Sequence, residues 1–434
     1  MPAKLGVLYL CYLSLDDPLV HTQVIAYLSG LAERGHRVHL LTFEQRRLAR
    51  GERRRRRVEL SRRGISWHSL RYHKRPSLAA TVYDTIAGAA VTCVLTRRHR
   101  LDAIHARSHV PAAMALIALR LAGGRRQIIF DIRGLMAEEY EDAGRWRRES
   151  LPFRMTKAVE RATIRCATAN VVLTERVRDQ LFGSRPRRPV SVIPCCADLA
   201  ALGAVSSERD STRLGLGLEE ARVMVYVGKF TGWYMEREMA EFFRVARRVM
   251  ERLHFLILTQ SAPEVMVAEL GRVSIPASAY TITSAAPARM GAYLAASDFA
   301  IAFIRPCPSK ISASPTKIGE YLAAGLPVVS TAGIGDVDRL LDPTIGVLVS
   351  QHSQPTYESA VRAIAALVAD PEVAERCRAV ARRNLSLAEV GIPRYAAIYD
   401  DVARARDASL RPAGDVIARP PAAGHARKPG WRSP

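Results

Sequence analysis

Residues 303–335, FIRPCPSKISASPTKIGEYLAAGLPVVSTAGIG, leave the chain few arrangements. The apolar run leading into them, 299–304, has no polar face and reads as a strand buried on both sides, the pattern of a parallel sheet. Ser314 then reads as an N-cap and Pro315 as the first turn of a helix. Gly325 is placed to end that helix, Pro327 blocks its continuation, and Val328, Val329 and Ser330 begin the next strand. A loop-to-helix junction at the carboxyl end of a buried strand is where an α/β sheet takes phosphorylated ligands. Free backbone N–H groups and the positive end of the helix dipole point there together.

Lys317 adds a full positive charge at that junction, and Glu320, three residues on, shares its helix face. The cation suits a pyrophosphate, and the carboxylate can accept two hydrogen bonds from a ribose diol. Taken alone, the same residues also fit a capped helix with a surface Lys–Glu pair worth a few tenths of a kcal/mol.

SPTKIGEYLAAGLPVVST resembles the donor-site segment of the GT-B glycosyltransferases, in the large retaining family described as glycosyltransferase family 4 or group 1. That family's usual form is a Glu, seven residues and a second Glu; Glu320 matches the second, and Ser312 stands at the first. The resemblance implies an α/β chain of two Rossmann-like, doubly wound parallel-sheet domains facing across a cleft. It implies donor contacts from Gly228, Lys229, Ser314, Thr316, Lys317 and Glu320. In the family a basic pair balances the departing diphosphate; Lys229 matches its first member, Met235 stands at the second, and Arg305 is a further candidate cation.

The same alternation runs through the rest of the chain. Strands are expected at 5–10, 38–43, 103–106, 127–130, 170–173, 222–227 and 255–258, with helices between. HARSH and FDIRG resemble acceptor-side segments of one branch of the family and place Arg107, His109, Asp131 and Arg133, with His105, after successive parallel strands. Residues so placed converge on one rim of the sheet, which makes these four the expected acceptor contacts. Read without the resemblance, a loop salt bridge accounts for Asp131 and Arg133. The expected catalytic group is Asp131, Lys229 and Glu320. Residues 138–149 read as a mobile loop over the cleft.

The implied domains are an acceptor domain over 1–196, a linker over 197–219 and a nucleotide-sugar domain over 220–388. A helix at 389–408 packs back on the first domain, and 409–434 form a disordered tail. The implied reaction transfers a sugar, with retention, from a UDP- or GDP-linked donor to a sugar or lipid-linked acceptor, with no cofactor and no metal. A sugar-nucleotide epimerase of the same fold is the enzymatic alternative.

The net charge of +22 calls for an anionic partner: membrane surface, phosphorylated substrate or nucleic acid. An arginine-rich genome composition would account for part of it. No zinc finger or aromatic RNA-binding motif accompanies the charge, so nucleic acid is not the expected partner. The densest cationic stretch is 46–75, with five arginines at 53–57 and Trp67 and Tyr72 interleaved. It reads as a solvated loop or helix end, and functionally as a contact for anionic lipid head groups or a lipid phosphate. The longest apolar run, 79–95, is interrupted by Asp84, so contact is expected to be peripheral, on the inner face of the membrane. Seven scattered cysteines without C-x-x-C or a Cys/His cluster at zinc spacing point to the cytoplasm and to no structural metal.

Overall fold

The computed structural model describes residues 4–75, 77–121, 123, 126–203, 208–230 and 232–410. It contains two all-parallel sheets. The first comprises β1 (Gly6–Cys11), β2 (Arg37–Glu44), β3 (Ile65–Arg71), β4 (Ala103–Arg107), β5 (Gln127–Ile132), β6 (Ala169–Val172) and β7 (Val190–Val192), in the order β3-β2-β1-β4-β5-β6-β7. The second comprises β8 (Arg222–Val227), β9 (Leu253–Leu258), β10 (Tyr280–Thr283), β11 (Phe299–Ala302), β12 (Val328–Thr331) and β13 (Gly346–Val349), ordered β10-β9-β8-β11-β12-β13. Strand order reverses between β1 and β4 and again between β8 and β11. Adjacent crossovers leave opposite faces at such points and open a crevice.

Strand parity explains the continuous apolar runs. On β1, Val7 and Tyr9 enter one core with Val38, Leu40 and Ile129, while Leu8 and Leu10 enter another with Leu41, Phe43 and Phe130. The final helix, Ile392–Leu410, contributes Tyr395, Ile398, Tyr399 and Val402 to the first of these cores. Burial of Ile398 and Val402 gives roughly 1.5–3 kcal/mol each, against about 1 kcal/mol for each tyrosine hydrogen bond beneath them. Packing therefore holds the helix, and the hydrogen bonds set its rotation.

Several expectations need correction. The arginine-rich stretch forms the body of a helix, Arg50–Arg62, followed by β3, rather than a loop or a helix end. Arg56 turns inward to Asp16 (2.6 Å) and Glu52 (2.8 Å), which relieves the crowding of like charge. Trp67 is buried, and its indole N–H donates to Thr42 Oγ1 at 2.8 Å, so it offers nothing to a membrane. Residues 136–142 form a helix, Met136–Asp142, and Asp142 Oδ2 accepts from Ser309 N at 2.8 Å; this is a bridge between domains, not a free loop. Between the domains stand two short helices, Leu199–Gly203 and Arg209–Leu216, the second clamped by Arg209 and Arg213 on Asp298. Of the expected tail, 409–434, residues 409 and 410 close the last helix, and 411–434 lie outside the described residues.

The helix Ser77–Arg98 is long and apolar enough to cross a membrane by length and composition. Its Asp84 is buried and accepts from Tyr12 Oη (2.8 Å) and His73 N (3.0 Å). The helix is packed into the first domain through Ala80, Gly88, Ala89, Thr92 and Thr96.

Candidate active site

The carboxyl ends of β8 and β11 flank the helix Thr316–Ala323. Pro315 occupies its N-cap position, and Gly325, at φ 84°, ends it as expected. Ser314 does not cap it. The Ser314 hydroxyl instead accepts from Cys195 N at 3.0 Å, tying the helix start to the end of the first domain. Thr316, half-buried, opens the first turn.

Lys317 is buried, and its Nζ has no hydrogen-bond partner among the described residues. Its ammonium lies 3.7 Å from the ring centre of Tyr234 and 4.3 Å from that of Tyr226. Burial lowers its pKa to about 7, against the pull of Glu320 and Glu236. Glu320 is half-buried; burial pushes its carboxyl up while Lys317 pulls it down. No ion pair joins the two among the described residues, so the helix face carries two desolvated charges a short step apart. Gly228 explains how the lysine fits: at φ 149°, a Cβ there would stand 2.7 Å from Lys317 Nζ. The aromatic loop over the lysine is stitched down where Met235 N donates to Phe303 O at 3.2 Å. Lys229, next to Gly228, is exposed, and Arg305 lies over Trp233 at 5.2 Å. A buried ammonium lacking acceptors is costly and becomes favourable once an anion reaches it.

The acceptor-side residues do not all converge on an open rim. Asp131 and His105 are fully buried beneath the helix Ile392–Leu410. Tyr395 Oη donates to Asp131 Oδ2 at 2.9 Å, and Tyr399 Oη meets His105 Nδ1 at 3.0 Å. Burial opposes ionisation of Asp131, yet Arg133, His105 and Arg107 hold its carboxyl below the usual range. His109 is buried against Glu160, its Nε2 3.0 Å from Oε2. The expected direct contact of Asp131 and His109 with an acceptor is corrected accordingly: both side chains lie under helices. The Arg133 side chain is also enclosed, donating to Gln23 Oε1 (3.3 Å) and Cys195 Sγ (3.1 Å), with Asp131 at 3.8 Å. Arg107 is half-buried, and its Nε has no hydrogen-bond partner among the described residues.

Residues 305–315 form the seam between the sheets. Ser312, at the position of the family's first Glu, donates to Ser309 O (2.6 Å) and accepts from Leu135 N (3.2 Å). Thr174 Oγ1 donates to Ile311 O at 2.8 Å, and Lys310 lies 3.7 Å above the Trp233 ring. Beside the seam, a groove of about 890 Å³ is lined by Leu151, Phe153, Arg154, Lys157, Arg161 and Pro308 among others. Tyr226 and Tyr234, whose rings face Lys317, do not stand out in the sequence as site residues. The run of aromatics at 230, 233 and 234 was the one local signal for a cover over the lysine.

Residues 20–201 match the family model Glycosyltransferase Family 4, and residues 221–370 match Glycosyl transferases group 1. No individual curated protein matches the sequence. Among solved structures, a glycosyltransferase from Rickettsia africae superposes with TM-score 0.66 at 12% identity, over 92% of this chain and 98% of that one. Sucrose-phosphate synthase from Thermosynechococcus elongatus gives 0.67 at 13% identity, over 94% and 100%. Anabaena HepE in complex with UDP gives 0.65 at 14% identity, over 93% and 100%. The two matched halves and the shared architecture identify the chain as a GT-B glycosyltransferase of the family 4 and group 1 type.

Proposed function

We propose that this enzyme moves a sugar from a UDP- or GDP-linked donor to an acceptor hydroxyl with retention of configuration and without a metal ion. The observation that carries the reading is the buried Lys317 ammonium, unpartnered at a helix start beside Gly228. A diphosphate supplies the acceptors it lacks, with the helix N-terminus adding backbone donors. Glu320 takes the ribose diol, and exposed Lys229 reaches the diphosphate from the other side. HepE, of the same fold, has been crystallised with UDP and with UDP-glucose, which supports a nucleotide-sugar donor.

In the proposed step the acceptor oxygen bonds to the anomeric carbon on the face from which the diphosphate leaves. The acceptor proton passes to the departing phosphate oxygen. Lys317 and Lys229 stabilise the charge gathering there, so no protein nucleophile is required. The groove of Leu151, Phe153, Arg154 and Arg161 suits an acceptor with an apolar part and an anionic part, such as a lipid-linked sugar of cell-surface polysaccharide or glycolipid synthesis. Peripheral contact with the cytoplasmic membrane face fits the helix Ser77–Arg98. Its Leu78, Val82, Ile86 and Val94 are exposed at multiples of four, and Arg97 and Arg98 close it.

Calorimetry with UDP and GDP, followed by NMR of the product anomer in chelator-treated enzyme, tests the proposal. Retained configuration and full turnover in chelator are expected. Inverted product refutes the front-face step, loss of turnover in chelator-treated enzyme whose Tm is unchanged refutes metal independence, and conversion of donor without acceptor favours the epimerase.

A further inference from the structure

Away from the seam, three imidazoles meet on one side of the first sheet. His39 lies on β2 and His68 on β3, where His39 is in register with Ser66 and His68 with Leu41. Two steps along a strand return to the same face, so both rings project together. His99 follows the last turn of the helix Ser77–Arg98, where Arg100 takes the left-handed conformation at φ 47°. Arg37 donates to His99 O (3.3 Å) and Arg100 O (3.1 Å), which holds this strained turn against the sheet.

His39 Nδ1 stands 3.1 Å from His68 Nε2, and one nitrogen from each of the three rings lies within 4.8 Å of the others. His39 is buried and its two neighbours are half-buried. A shared N–H···N hydrogen bond accounts for two of these rings; it leaves the third unexplained.

We propose that His39, His68 and His99 bind one divalent transition-metal ion, zinc by donor type, with water or an anion in the fourth position. Imidazole ligands at 2.0–2.1 Å in a tetrahedral array stand roughly 3.3–3.4 Å apart, close to the His39–His68 spacing. His99 closes the remainder by side-chain rotation. Imidazole binds a metal through a neutral ring nitrogen, and each of the three rings offers one. Three imidazoles form a nitrogen donor set, which takes zinc, nickel or copper over magnesium or calcium, whose preferred ligands are oxygens. The ion would staple β2, β3 and the end of the helix Ser77–Arg98, on residues too far apart in sequence to show as a zinc motif.

The test titrates Zn²⁺ into the chelator-treated full chain by calorimetry, beside the double variant His68→Gln, His99→Gln. One ion per chain is expected, with a raised Tm and affinity weakened about 100-fold or more in the variant. X-ray absorption of the zinc-loaded wild type, which needs no folded variant, should show nitrogen ligands at the metal. Absence of zinc binding, unchanged affinity in a folded variant, or sulfur ligands from the free cysteines would overturn the assignment. A Tm that rises equally with Mg²⁺ would overturn the selectivity.

Discussion

Lys317 Nζ lies 3.7 Å from the centre of the Tyr234 ring, the aromatic face standing where hydrogen-bond acceptors would otherwise be. A cation over such a face gains about 0.5–2 kcal/mol, less than the cost of a fully desolvated charge. The lysine is therefore held in a state that an anion improves.

Lys317 makes stability depend on pH in a definable window. Its folded pKa is lowered to about 7, against about 10.4 for an unfolded lysine. Between these values the unfolded chain binds more protons, so this group's contribution to stability rises with pH through the window. Lys317→Met should raise Tm at pH 7 and flatten the wild-type slope between pH 7 and 10. Urea melts of both proteins across that range check it; identical slopes would refute the burial.

The same residue makes donor binding proton-linked. A diphosphate binds the protonated amine, so above pH 7 binding should take up a proton and weaken by up to about tenfold per pH unit. Calorimetry in buffers of different ionisation enthalpy measures the uptake directly. Lys317→Met should abolish it.

Glu320→Gln should weaken nucleoside diphosphate binding by about 1–3 kcal/mol while leaving the fold intact, because a charge-assisted hydrogen bond to the ribose is lost. The corresponding deoxynucleotide should lose little further in the variant. Equal affinity for diphosphate in the two proteins would remove Glu320 from the donor site.

Asp131→Ala should destabilise the enzyme by about 2–5 kcal/mol, since it strips an acceptor from Tyr395 and the counter-charge from Arg133 in a dry interior. Tyr395→Phe should cost about 1 kcal/mol. Chemical denaturation measures both. A variant as stable as wild type yet inactive would return Asp131 to direct contact with substrate.

For the membrane, Val82→Asp with Ile86→Asp should abolish flotation with anionic vesicles. Gln at 53–57 should weaken it chiefly at low salt, where screening is longer-ranged than the roughly 8 Å at physiological ionic strength. Equal flotation of all three proteins would place the contact elsewhere.

The placement of the proposed donor residues was legible in the sequence because its signals are local. Gly228 with Lys229, and Thr316 with Lys317 and Glu320, each fall within one turn or one helix. The acceptor side was misread because its partners are distant: Tyr395 reaches Asp131 from 264 residues away. Trp67 looked amphipathic among arginines, but the alternation along β3 turns it inward to Thr42. Ser314 looked like a cap, and its hydroxyl is taken by Cys195 N from the other domain. His39, His68 and His99 show no spacing at all until the sheet brings them together.

Ser312 and Ser314 each accept from a backbone N–H of the first domain, at Leu135 and Cys195, within a few residues of the donor helix. Any hinge rotation that opens the crevice must break these bonds or drag the helix start with it. If a donor binds the two arrangements with different affinity, its occupancy and the interdomain angle are coupled through these two hydroxyls. By reciprocity, whatever factor an acceptor adds to donor affinity by drawing the domains together, the donor adds to acceptor affinity.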